Sequence, residues 1–114
     1  MRELTVGSNL TAGALNTVYT VPKGCKAIAT LLFLSNNGGN SKSITAAWYD
    51  KSENSTTNLL GGHSIGAGSY IQLAQGRMVM DEFDELRVTP EAASTFSVIF
   101  TVEIHQNTAY QNGS

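Results

Sequence analysis

The sequence predicts an all-β fold: a single-domain antiparallel β-sandwich, jelly-roll-like, with about eight strands. Three observations carry that expectation. Short stretches of alternating apolar and polar residues recur about every ten positions, separated by Gly, Pro, Asn and Ser. Only Pro90-Glu91-Ala92-Ala93 suits a helix, for one turn at most. The 114 residues fit one domain, and 41% hydrophobic content is enough for one core.

The elements follow in order. Met1–Asn9 reads as an N-terminal arm able to cross a subunit boundary. Leu15 to Val21 is a Thr- and Val-containing strand, closed by Val21-Pro22-Lys23-Gly24. Pro at the second position and Gly at the fourth predict a type I turn there. Lys26 to Leu34 is apolar on both faces, so it is either covered on both sides or turned towards a neighbour. Asn36 to Ser41 is a turn cluster, and it predicts a hairpin with Ser43–Asp50. In that second strand Ile44, Ala46 and Trp48 share the core face, which turns Tyr49 outward. Thr57–Leu60, Tyr70–Leu73, Arg77–Met80 and Glu85–Thr89 are further strands, broken by Gly61-Gly62, Gly66-Ala67-Gly68 and Gln75-Gly76. The clearest strand is Phe96 to Ile104. Its even positions are Phe, Val, Phe, Val and Ile, and its odd positions are polar except for Ile99. The polar stretch 106–114 lacks periodicity and reads as a tail on a domain spanning 1–114.

Charge excludes several functions. The seven Lys and Arg residues are scattered and the net charge is -2. Binding nucleic acid needs clustered cations to displace counterions, so no nucleic-acid partner is expected. No run approaches the ~18 apolar residues of a membrane span, and no membrane partner is expected. The N-terminus lacks the apolar segment of a signal peptide, which predicts synthesis in the cytoplasm.

Catalytic and ligating patterns are equally sparse. Cys25 stands alone and forms no intrachain disulfide; it reads as a small apolar side chain. His63 and His105 fall on different elements, which predicts no metal site. The acidic run Asp81-Glu82-Phe83-Asp84-Glu85 lacks the calcium-loop pattern and reads as a soluble turn. Gly61 to Gly68 lacks the Lys-Ser/Thr ending of a phosphate loop, and Ser64 has no nucleophile-elbow context. The chain is therefore not expected to be an enzyme and is expected to bind no cofactor. Only 14% of residues are charged, below the usual quarter. Such a surface suits packing beside other subunits. Leu31, Phe33, Tyr49 and Ile99 are the candidate interface residues.

One resemblance rests on particular motifs. An early strand ends in Tyr19-Thr20-Val21-Pro22-Lys23-Gly24, and an Ala/Ile/Leu-rich strand ends at Asn36. A late turn reads Asp84-Glu85-Leu86-Arg87-Val88, and the closing strand carries Val102-Glu103. Across residues 14 to 104 the chain resembles the small β-sandwich virion proteins of tailed bacteriophages, including marine and cyanobacterial phages. The resemblance implies a structural subunit located in the virion, a capsid-decorating or tail or neck accessory protein. Its partners would be other virion proteins, coat or tail subunits, and further copies of itself in a homo-oligomer. Phe83 departs from the pattern, standing where the family carries Gly before the Asp. The alternative is a receptor- or glycan-binding module at a fibre or tail tip, resting on the Asn-, Ser- and Gly-rich loops and Tyr49.

Overall fold

The structure is a computed structural model that describes residues 2–74 and 78–106. The polar tail beyond Gln106 and Arg77 of the predicted 77–80 strand lie outside the described residues. Among the described residues there are nine strands and no helix. They are β1 (Arg2–Asn9), β2 (Asn16–Thr20), β3 (Cys25–Asn36), β4 (Lys42–Asp50), β5 (Ser55–Ile65), β6 (Tyr70–Leu73), β7 (Met78–Met80), β8 (Glu85–Pro90) and β9 (Phe96–Gln106).

Every pairing is antiparallel. One sheet runs β1-β9-β3-β6, with β7 also on β3; the other runs β2-β8-β4-β5. β6 and β7 pair with successive stretches of β3, on the side away from β9, so together they fill one position. Each sheet thus has four positions, and the chain passes repeatedly between them. That order is the jelly roll the sequence predicts.

The interior is built by alternation. Phe96, Val98, Phe100, Val102 and Ile104 point inward from β9, against Leu32, Leu34, Ile44, Ala46, Met80, Leu86 and Val88. Each fully buried Val, Leu, Ile or Phe contributes about 2 kcal/mol by leaving water. β3 is apolar on both faces, and its parity changes part-way along. Its register against β9 shifts between Ala29 and Leu31. Ala27 and Ala29 face the core before the bulge, and Leu32 and Leu34 face it after, so odd and even positions exchange faces. Thr30 in the bulge donates its hydroxyl to the Thr101 carbonyl at 3.3 Å.

Six expectations need correction. β3 and β4 are not a hairpin, because they belong to opposite sheets. Asn36, fully buried, makes the crossing: its amide nitrogen donates to the carbonyls of Asn40 (2.8 Å) and Ile65 (2.9 Å), and its oxygen accepts from Gly38 N (3.0 Å). The turn after β2 lies one residue later than predicted. Cys25 N donates to the Pro22 carbonyl, which puts Gly24 third, at φ 76. A left-handed third position belongs to a type II turn and explains this glycine. The third correction concerns Gly61 to Ile65, which is not a loop but the end of β5; register shifts opposite β4 and a left-handed Gly62 absorb the glycines. Pro90 is the last residue of β8 and no helical turn follows it. Finally, Arg2–Asn9 is no free arm: it pairs with β9 along its whole length. At the other end Gln106, read as tail, is the last residue of β9.

Candidate interaction surface

In antiparallel sheets, residues directly opposite each other share a face. The core takes the even positions of β9, so Ser97, Ile99, Thr101, Glu103 and His105 point outward. Opposite them on β3 stand Ser35, Phe33, Leu31, Ile28 and Lys26. Val79 of β7 is opposite Ile28, and Tyr70 of β6 is opposite Ser35. The outer face of this sheet therefore carries one apolar band of Val79, Ile28, Leu31, Phe33, Ile99 and Tyr70.

The band is partly organised already. The Phe33 and Tyr70 rings stack with centroids 4.9 Å apart. Tyr70 nevertheless remains 61% exposed, Val79 51% and Ile99 41%. Among the described residues, charge lies at one end of the face, where Lys26, Glu103, His105 and Glu3 meet. Three of the four sequence-derived candidates, Leu31, Phe33 and Ile99, come together in this band. Val79 and Tyr70 were missed, because each contributes one outward apolar residue from a very short strand.

Tyr49, the fourth candidate, is elsewhere. It lies on the outer face of the β2-β8-β4-β5 sheet, opposite Glu85. The Arg87 guanidinium sits 3.8 Å from its ring centroid, and its hydroxyl donates to Asn54 Oδ1 at 2.7 Å. Arg87 Nε in turn donates to Glu85 Oε1 at 2.7 Å. One ring face and the hydroxyl of Tyr49 are thus occupied by its own chain.

The acidic turn is structural chemistry. Asp84 is only 1% exposed. Its carboxylate accepts from Trp48 Nε1 (3.1 Å), Lys51 N (3.0 Å) and Asp81 N (2.9 Å). Glu82 accepts from Gly24 N at 2.8 Å, which holds the turn after β2. Phe83 takes φ 68, the left-handed backbone that a glycine would adopt cheaply, so the tight turn is kept despite the larger residue. A buried carboxylate with three donors stabilises the fold around it. His63 lies on β5 and His105 on β9, in different sheets. Among the described residues no three His, Cys, Asp or Glu side chains are grouped to hold a metal ion, and no helix is long and apolar enough to cross a membrane. Cys25 is half-buried at the start of β3 and packs against the core.

Fold and surface together define a jelly-roll-like β-sandwich with one unfinished apolar face. No protein-family model matches the chain, and no curated protein matches its sequence. Solved structures do match its fold. One is of Bacillus endospore appendages, described as a novel family of disulfide-linked pili. It is 15% identical, with a TM-score of 0.55, over 92% of this chain and 87% of that one. Another is of infectious bursal disease virus, Gt strain. It is 9% identical, with a TM-score of 0.50, over 96% of this chain and 34% of that one. At these identities the likeness is one of fold.

Proposed function

We propose that the chain is a non-enzymatic structural subunit of a phage virion, a capsid-decorating or tail or neck accessory protein that acts through protein–protein interfaces. The observation that carries this reading is the apolar band on the outer face of the β1-β9-β3-β6 sheet. Four strand positions about 4.8 Å apart and about ten residues long give a face of roughly 650 Å². A standard interface buries about 800 Å² per partner, so the face is large enough to serve as the centre of one. The stacked Phe33 and Tyr70 supply aromatic anchors, and the charged end supplies part of a polar rim. The bacteriophage assignment is supported by the sequence resemblance over residues 14 to 104. A virus structure and a pilus among its fold neighbours accord with an assembled protein.

An antibody against the chain tests the reading. It should label purified phage particles at a repeated position. Particles that carry no label, with all the chain left in the lysate, would overturn it.

A further inference from the structure

A β-sandwich has four sheet edges, and each exposes a row of backbone donors and acceptors. Proteins guard such edges with short strands, bulges, Pro or charge. Three of the four edges here are guarded. β2 has five residues and a register shift between Thr17 and Tyr19. β5 is bulged against β4 at two places. The edge beyond β3 is split between β6, of four residues, and β7, of three.

β1 is different. It runs eight residues in unbroken register with β9. It has no Pro, and its charges, Arg2 and Glu3, are confined to one end. The direction of its free backbone groups can be read from its continuation. Leu10 N donates to the Phe96 carbonyl at 2.9 Å, the next step of the same ladder. Even residues of β1 therefore bond to β9, and Glu3, Thr5, Gly7 and Asn9 present their N–H and C=O groups to the open edge. The Thr5 and Thr101 hydroxyls, 2.9 Å apart, fit the closer side-chain approach of a non-hydrogen-bonded pair.

We infer that this edge pairs with β1 of a second copy of the chain, antiparallel about a two-fold axis at Thr5. Three features select that occupant and register. The outward-bonding positions are all odd, and about Thr5 three of them match donor to acceptor, Glu3 with Gly7 and Thr5 with its own copy. The half-buried Leu4 of one copy then meets Val6 of the other, twice, on the side facing the core. No like charges meet, because Arg2 faces Ser8 and Glu3 faces Gly7 of the other copy. A parallel arrangement would set Glu3 beside Glu3. The result is a closed dimer in which the two five-stranded sheets become one continuous sheet. Both apolar bands then lie on one side of it. The inference rests on the reading of the chain as an assembly subunit and names its first partner.

Gly7→Pro removes an N–H from the open edge and none from the β9 ladder, and a Cβ at Gly7 meets only the Val98 carbonyl, at an ordinary 3.7 Å. Sedimentation equilibrium of the full chain should show a dimer. Gly7→Pro should weaken it by roughly tenfold or more while the circular dichroism spectrum is unchanged. Cross-linking decides the matter if Gly7→Pro fails to fold. In a Cys25→Ser background, Thr5→Cys should oxidise to a covalent dimer, because facing hydrogen-bonded residues lie about 5.5 Å apart at Cα, within disulfide range. Glu3→Cys, displaced from the axis, should not. A chain that stays monomeric, a dimer without the Thr5→Cys link, or an oligomer that lengthens with concentration would each overturn the inference. A monomer that still labels phage particles sinks the dimer alone; a dimer absent from particles sinks the virion reading alone.

Discussion

The outer faces of the two sheets solve the same problem in opposite ways. On the β2-β8-β4-β5 sheet, polar side chains satisfy one another: Arg87 lies over Tyr49 and bonds Glu85, and Tyr49 bonds Asn54. On the β1-β9-β3-β6 sheet, the apolar band covers Ile28 but leaves Tyr70, Val79 and Ile99 in water, the first two more than half exposed. The first face is finished by its own chain, and the second leaves apolar side chains exposed. The difference teaches that low overall charge is not spread evenly. It leaves one side of the sandwich self-contained and the other, in the proposed reading, adhesive.

Changes on the self-contained side should cost folding, and changes on the adhesive side should cost assembly. The largest effect falls on Asp84, which anchors the turn entering β8. Asp84→Ala orphans Trp48 Nε1 and the amides of Lys51 and Asp81. It should destabilise the chain by about 3 kcal/mol in urea unfolding. A loss below about 1 kcal/mol would mean that water replaces the carboxylate and the turn is not held as described.

Next comes the apolar band. Phe33→Thr with Ile99→Thr keeps strand-compatible side chains and removes the two facing apolar groups. Occupancy on phage particles should fall by roughly tenfold or more. Folding stability should change by about 1 kcal/mol or less, because these positions lie outside the core. A large loss of stability with unchanged occupancy would reverse the contrast between the faces.

Smaller effects return to the polar side. Arg87→Ala removes the cation over Tyr49 and the partner of Glu85, and should cost about 1 kcal/mol of stability without altering occupancy. The smallest is a pH effect. Glu91 titrates below its ordinary value, chiefly because the Ser43 amide donates to it at 2.8 Å, with Lys42 Nζ 3.7 Å away adding to the shift against the opposing effect of desolvation. Its folded-state pKa is lowered, so its contribution is present above the ordinary carboxylate range and is lost as pH falls through the lowered value. Glu91→Gln should flatten that part of the stability profile, and an unchanged acid limb would remove this contact from the account.

Alternation made much of the fold legible. Phe96 to Ile104 places its core residues, and exposes Ile99, as its pattern predicts. What alternation cannot show is which sheet a strand joins. Asn36 to Ser41 reads as a hairpin turn, yet the amide of Asn36 is bonded to β5 and carries the chain across the sandwich. β1 was legible only as Leu4 and Val6, two apolar positions, too few to distinguish a strand from an arm. Likewise, the double-faced apolarity of β3 is visible in sequence, but the bulge that exchanges its odd and even positions depends on β9. For the surface, Leu31, Phe33 and Ile99 could be read from strand parity. Tyr49 was outward as read, but on the other face, which no local pattern reveals. The burial of Asp84 was also hidden, because its donors come from β4 and from the two turns around it.

Hydroxyl-radical footprinting of the free chain against the same chain in phage particles tests the central claim most directly. Tyr70 and Phe33 should lose most of their labelling in the particle while Tyr49 keeps its own. Equal labelling of Tyr70 in both states, or protection confined to Tyr49, would show that the adhesive face had been assigned to the wrong sheet.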